Sequence, residues 1–153
     1  MADYSITEHI PVADHIYKYL VKICGSDTFV ANRTSIIGNI ILSSLGRSSD
    51  VNFRKSKFTK VFNIVINEHY YLKNGIHLSF KNAQVFNKMI DIQFREEMYR
   101  YLLISDINST TDFYNGIKNY LKLFDITEDD IKLDTLYRDF KRKKENIVSK
   151  LTA

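Results

Sequence analysis

Phe86, Ile90, Phe94, Met98 and Leu102 recur at intervals of four along one stretch of the chain. A strand would scatter that spacing over both faces of a sheet, whereas a helix gathers it into one stripe. The spacing therefore predicts a long helix over 80–103, with Ser79 placed to cap its first turn. Val85, Met89, Ile92 and Leu103 widen the stripe. So broad an apolar face belongs to a central helix packed on two sides, or to one that also packs against a second subunit.

The remaining elements are read against that helix. Val12, Ile16, Tyr19, Leu20 and Ile23 predict a first helix beginning near Pro11, whose missing N–H suits a first turn, and ending at Gly25. A second helix is expected over 32–45, with Ile36, Ile37, Ile40, Ile41 and Leu45 on its apolar face. Residues 58–66 alternate, with Phe62, Ile64 and Ile66 on one side and Val61 and Val65 on the other, as a strand requires. Asn67 can cap a short helix that stops at Gly75, followed by a brief strand; a hairpin turn at Asn74-Gly75 is the competing reading. Residues 106–111 read as a hinge-like linker. Beyond them, Phe113, Ile117, Tyr120, Leu121 and Phe124 mark an amphipathic helix, Thr127-Glu-Asp-Asp opens a short one, and a last helix restarts at Asp134-Thr135.

The expected fold is mainly α, an α+β chain with a small β element. A helical body over 1–107 precedes a helix-turn-helix-like trihelical unit over 108–153. The 153 residues, 44% hydrophobic and 26% charged, suffice to bury a core. No apolar run approaches the roughly 18 residues of a membrane helix, and Asp3, Glu8, His9 and Pro11 interrupt any leader. One cysteine, Cys24, fits a reducing compartment. A cytoplasmic chain without a membrane partner is expected.

The net charge of +4 informs only where it clusters. Between residues 47 and 60 stand Arg47, Arg54, Lys55, Lys57 and Lys60 against Asp50 alone. Between 132 and 150 stand seven cations against Asp134, Asp139 and Glu145. Each cluster equals the charge of the whole chain, so the remainder is acidic. In a helix-turn-helix the third helix enters the major groove. With Leu136 and Phe140 facing inward, Thr135, Arg138, Asp139, Lys141 and Arg142 remain outward, and Arg138 and Arg142 lie one turn apart, as guanine contacts or phosphate clamps require. Lys141, Lys143 and Lys144 suit phosphates, which position without reading sequence. The competing reading is a solvated helix end whose cations answer the macrodipole. Arg54, Lys55 and Lys57, flanked by Phe53 and Phe58, form a second basic segment suited to phosphates or unpaired bases, or a plain surface connector.

Signals of catalysis are weak. His9, His15, His69 and His77 never pair at i, i+4, none stands in metal-ligand spacing with Cys24, and the five glycines are scattered. The expectation is a chain that is not an enzyme and uses neither cofactor nor metal.

Three stretches carry a resemblance: Thr34-Ser-Ile-Ile-Gly-Asn-Ile-Ile-Leu, Leu78-Ser-Phe-Lys-Asn-Ala-Gln-Val-Phe-Asn with Phe94-Arg-Glu-Glu-Met-Tyr-Arg-Tyr, and Ile126-Thr-Glu-Asp-Asp-Ile-Lys-Leu-Asp-Thr-Leu-Tyr-Arg-Asp-Phe-Lys-Arg. Through them the chain resembles small proteins of bacteriophages and mobile elements of gut Bacteroidetes, the crAss-like phages among them. The resemblance implies a DNA-binding regulator or replication accessory and brings no catalytic residues. The expected function is non-catalytic binding of duplex DNA by Thr135, Arg138, Lys141, Arg142, Lys143 and Lys144, with Arg54, Lys55 and Lys57 on phosphates and a homodimer supplying two half-sites. The alternative is a virion or host-directed protein whose helix 80–103 binds a protein partner.

Overall fold

A computed structural model describes residues 4–47, 56–105 and 113–152. Contacts divide the chain into two units, Met1–Ile92 and Gln93–Ala153. The expected boundary at 107/108 lies outside the described residues. The architecture is mainly α with a small sheet. Among the described residues no helix is long and apolar enough to cross a membrane.

In the first unit the elements are β1 (Ser5–Val12), α1 (Asp14–Cys24), β2 (Thr28–Val30), α2 (Ile36–Ser44), β3 (Leu45–Gly46), β4 (Lys60–Asn67), α3 (Glu68–Asn74), β5 (His77–Leu78) and the start of α4 (Phe80–Ser105). Strands order as β1-β4-β2, with β1 antiparallel and β2 parallel to β4. The alternation of β4 predicts its faces: Phe62, Ile64 and Ile66 are fully buried while Val61 is exposed. On β1, Ile10 opposite Phe62 and Val12 opposite Lys60 are buried.

Pro11 and Val12 correct the expected start of the first helix. Both belong to β1, and α1 opens only at Asp14. Proline is tolerated because β1 is an edge strand, where one unmade ladder bond faces outward. Gly25 does end α1, in the left-handed conformation at φ 71°. The second helix is shorter than expected. Ser35 caps it by accepting from the Gly38 N–H, so residues 32–35 form its approach and not its first turn. The short helix ending at Gly75 and the strand after it form as α3 and β5, and β5 pairs with β3.

Ser79 caps α4, its hydroxyl oxygen accepting from the Asn82 N–H at 3.1 Å. Phe86 and Ile90 bury completely, and between them Asn87 is enclosed with all its polar atoms in use. Its Oδ1 accepts from the Ala13 N–H, and its Nδ2 donates to the carbonyls of Pro11 and Ala83. Asn87 thereby satisfies backbone at the junction of β1 and α1 that neither element can satisfy itself. His15 and Asp91 join α1 to α4 at 2.7 Å. The expected wide stripe is narrower in fact: Val85, Met89, Ile92 and Leu103 are 39–51% exposed.

The second unit combines the later part of α4 with α5 (Phe113–Leu123) and α6 (Leu133–Thr152). Phe94, Met98 and Leu102 of α4, Ile117, Tyr120 and Leu121 of α5, and Leu133, Leu136 and Phe140 of α6 make its core. The rings of Phe94 and Tyr120 lie 5.4 Å apart, and those of Phe113 and Phe140 4.8 Å. The unit is trihelical, but its membership differs from the expected one. The helix expected from Thr127 is a single turn, in which the Asp130 and Ile131 N–H groups donate to the Thr127 carbonyl. Asp130 closes it by accepting from the Thr127 N–H and hydroxyl. Between buried Ile126 and Leu133 only half-buried Ile131 offers apolar surface, too little to offset helix nucleation.

The Tyr120 hydroxyl donates to the Phe94 carbonyl at 2.9 Å inside this core. Burial, with Glu97 adding to it, pushes that hydroxyl well above its ordinary value of 10.0. The folded unit keeps the proton where the unfolded chain loses it, so this group's contribution is intact below pH 10 and is lost as pH rises beyond it. Tyr120→Phe should flatten that alkaline fall in an unfolding series above pH 10. An unchanged alkaline limb in the variant would count against the burial.

Candidate nucleic-acid interface

The basic residues of α6 separate into two faces by helical position. Leu133, Leu136 and Phe140 fix the inner face, and Asp134, Thr135, Arg138, Lys141, Arg142 and Glu145 are exposed on the outer one. Arg138 and Arg142 stand one turn apart in solvent, as expected. Arg138 is held by Asp134, one turn before it, at 2.9 Å, with both side chains about two-thirds exposed. Exposed pairs of this kind contribute about 0.3–0.5 kcal/mol, so a phosphate or base edge can replace Asp134 at little cost.

Lys143 and Lys144 turn the other way. Lys143 ion-pairs with Glu96 of α4 and lies 4.8 Å above the Tyr99 ring. Its burial pulls the ammonium below the ordinary lysine range. Lys144 lies 4.5 Å above the Phe113 ring. Both stems cover aromatic surface, a packing role open to long cationic side chains. Asp139, expected outward, is instead drawn toward α4 by Arg95 at 3.0 Å, its side chain remaining half exposed.

The amino end of α6 is acidic. Glu128 and Asp129 are exposed in the preceding turn, and Asp134 lies in the first turn of the helix. These carboxylates suit the positive end of the macrodipole, Glu128 accepting from the Leu133 N–H, and Asp134 directly precedes Thr135. The favourable ground for phosphate therefore centres on Lys141 and Arg142, further along the helix.

The second basic segment is only partly in view. Arg54 and Lys55 lie outside the described residues, as does Phe53. Lys57 is exposed in the first unit, with its ammonium 5.3 Å from the ring of half-buried Phe58. Among the described residues no group of three His, Cys, Asp or Glu could hold a metal ion.

One cluster went unnoticed in the sequence. Tyr114 of α5 meets Tyr137 of α6 edge to face, with centroids 5.7 Å apart. Lys118 lies 5.0 Å above the first ring and Lys141 5.6 Å above the second. The signal was present as two Tyr-x-x-x-Lys spacings, 114/118 and 137/141, which place each lysine one turn from its ring. Searches of protein-family models, curated proteins and solved structures find no match to this chain.

Proposed function

We propose that the chain binds duplex DNA without catalysis, through the outer face of α6. The observation that carries this reading is the sorting of cations on that helix. Arg138, Lys141 and Arg142 are exposed, Lys141 beside the Tyr137 ring, while Lys143 and Lys144 are half-buried against rings of α4 and α5. Lys141 and Arg142 grip phosphates, and Arg138 exchanges Asp134 for a base edge or a phosphate. Thr135 lies at the edge of the contact, beside the acidic turn. One helix reads few base pairs, so a homodimer would supply useful specificity. In this reading the chain serves a phage or mobile element as a regulator or replication accessory.

Anisotropy titration with a random duplex at several salt concentrations tests it. Two to three phosphate contacts predict a log–log salt slope of about −2 to −3. Arg138→Ala/Arg142→Ala should weaken binding by roughly a hundred-fold and reduce the slope by about one to two. Wild-type affinity in the double variant would remove α6 from the account.

A second reading has its own observation. Val85, Met89 and Ile92 form an exposed apolar row on α4, which favours a protein partner. Association through that row would be nearly indifferent to salt.

A further inference from the structure

Between α5 and α6 the Phe113 and Phe140 rings meet, and Ile117 and Leu136 are fully buried. Tyr114 remains 40% exposed, and Tyr137 is half-buried beside it. The two rings form a ridge with an exposed lysine over each, Lys118 on α5 and Lys141 on α6. The charge around the ridge has one sign over much of its length. α5 carries Lys118 and Lys122 and no carboxylate in Phe113–Leu123. On α6 the acids that reach solvent are Asp134, held by Arg138, Asp139, held by Arg95, and Glu145.

Aromatic faces between cations are what an unpaired strand requires. Bases stack on rings whatever their identity, and phosphates follow the cations. A cation over an exposed ring is weakly held, so a base can displace the lysine from the ring while its ammonium moves to the adjoining phosphate. A duplex keeps its bases stacked internally and cannot use such a ridge. Tyr137 and Lys141 are also neighbours of Arg138 and Arg142 on the same helix, which makes the ridge continuous with the proposed duplex face.

We propose that the Tyr114–Tyr137 ridge binds the unpaired strand that continues from a duplex, with a base on Tyr114 and its phosphates on Lys118 and Lys141. This rests on the reading of α6 as a duplex-binding helix. A base-paired end and a single-stranded extension are then held together, so the preferred ligand is a junction between them.

The test compares a short blunt duplex with the same duplex bearing about six unpaired thymidines, using the full chain and anisotropy. The extension should tighten binding about ten-fold. Tyr114→Ala should abolish that gain, Tyr114→Phe should retain it, and Lys118→Gln should reduce it. Circular dichroism establishes that each variant is folded. Equal affinity for the two ligands overturns the ridge and leaves the duplex reading standing, whereas absence of binding to both overturns the two together. If polyglutamate competes away the gain as well as oligothymidine does, the ridge takes acidic chains in general and the proposal fails.

Discussion

Gly75→Ala should destabilise the first unit by about 3 kcal/mol or more, although it adds a single methyl group. Gly75 ends α3 at φ 93° and ψ 177°, a region that only glycine occupies without strain. A Cβ there would lie 2.2 Å from the Gly46 carbonyl oxygen and 2.4 Å from its carbon. Neither atom can retreat freely, because Gly46 is paired with His77 in the β3–β5 ladder. Gly25 supplies the comparison. It too has positive φ, 71°, but nothing lies within 4 Å of its Cβ position, so Gly25→Ala should cost only about 1 kcal/mol. Urea unfolding of the two variants against the parent measures both. Equal losses would show that backbone conformation alone, and not the approach of β3, makes Gly75 glycine.

Phe94→Ala should cost the second unit about 3–5 kcal/mol. The ring is fully buried and touches two others, Tyr120 at 5.4 Å and Phe124 at 6.3 Å, the latter edge to face. Removing it leaves a cavity lined by rings on α5 and the following turn, which are themselves packed together at 5.1 Å and cannot easily collapse. The carbonyl that accepts from the Tyr120 hydroxyl belongs to the same residue, so loss of the ring also loosens a buried hydrogen bond. The expected signature is faster amide exchange across α5 and α6, with a lowered unfolding midpoint. A variant within 1 kcal/mol of the parent, on the scale of large-to-small core changes, would mean that these helices do not share a core at Phe94.

Much of the fold was legible because its signals are local. The four-residue period of α4, the alternation of β4, the serine at position 79 and the glycines at 25 and 75 each state a backbone preference within a few residues of where it acts. The misreadings have a different origin. Pro11 is equally acceptable in a first helical turn and in an edge strand; the pairing of β1 with β4, which sets Pro11 opposite Val61, 50 residues away, decides between them. The acidic Thr127 segment has a good cap and no core to bury, so tertiary packing withholds the helix that the cap invites.

The candidate interface divides in the same way. That α6 is a helix with a basic surface is written in its own residues, as is the outward position of Arg138, Lys141 and Arg142 relative to Leu136 and Phe140. That Lys143 and Lys144 turn inward is not, because their rings and carboxylate come from Tyr99 and Glu96 on α4 and from Phe113 on α5. The pairing of Tyr114 with Tyr137 likewise required two helices to be brought side by side. Sequence alone determined which residues could carry charge and which period each element would follow, since both are properties of neighbouring residues. Only the tertiary structure decided which charges remain in water, because burial and partnership depend on residues distant in the chain.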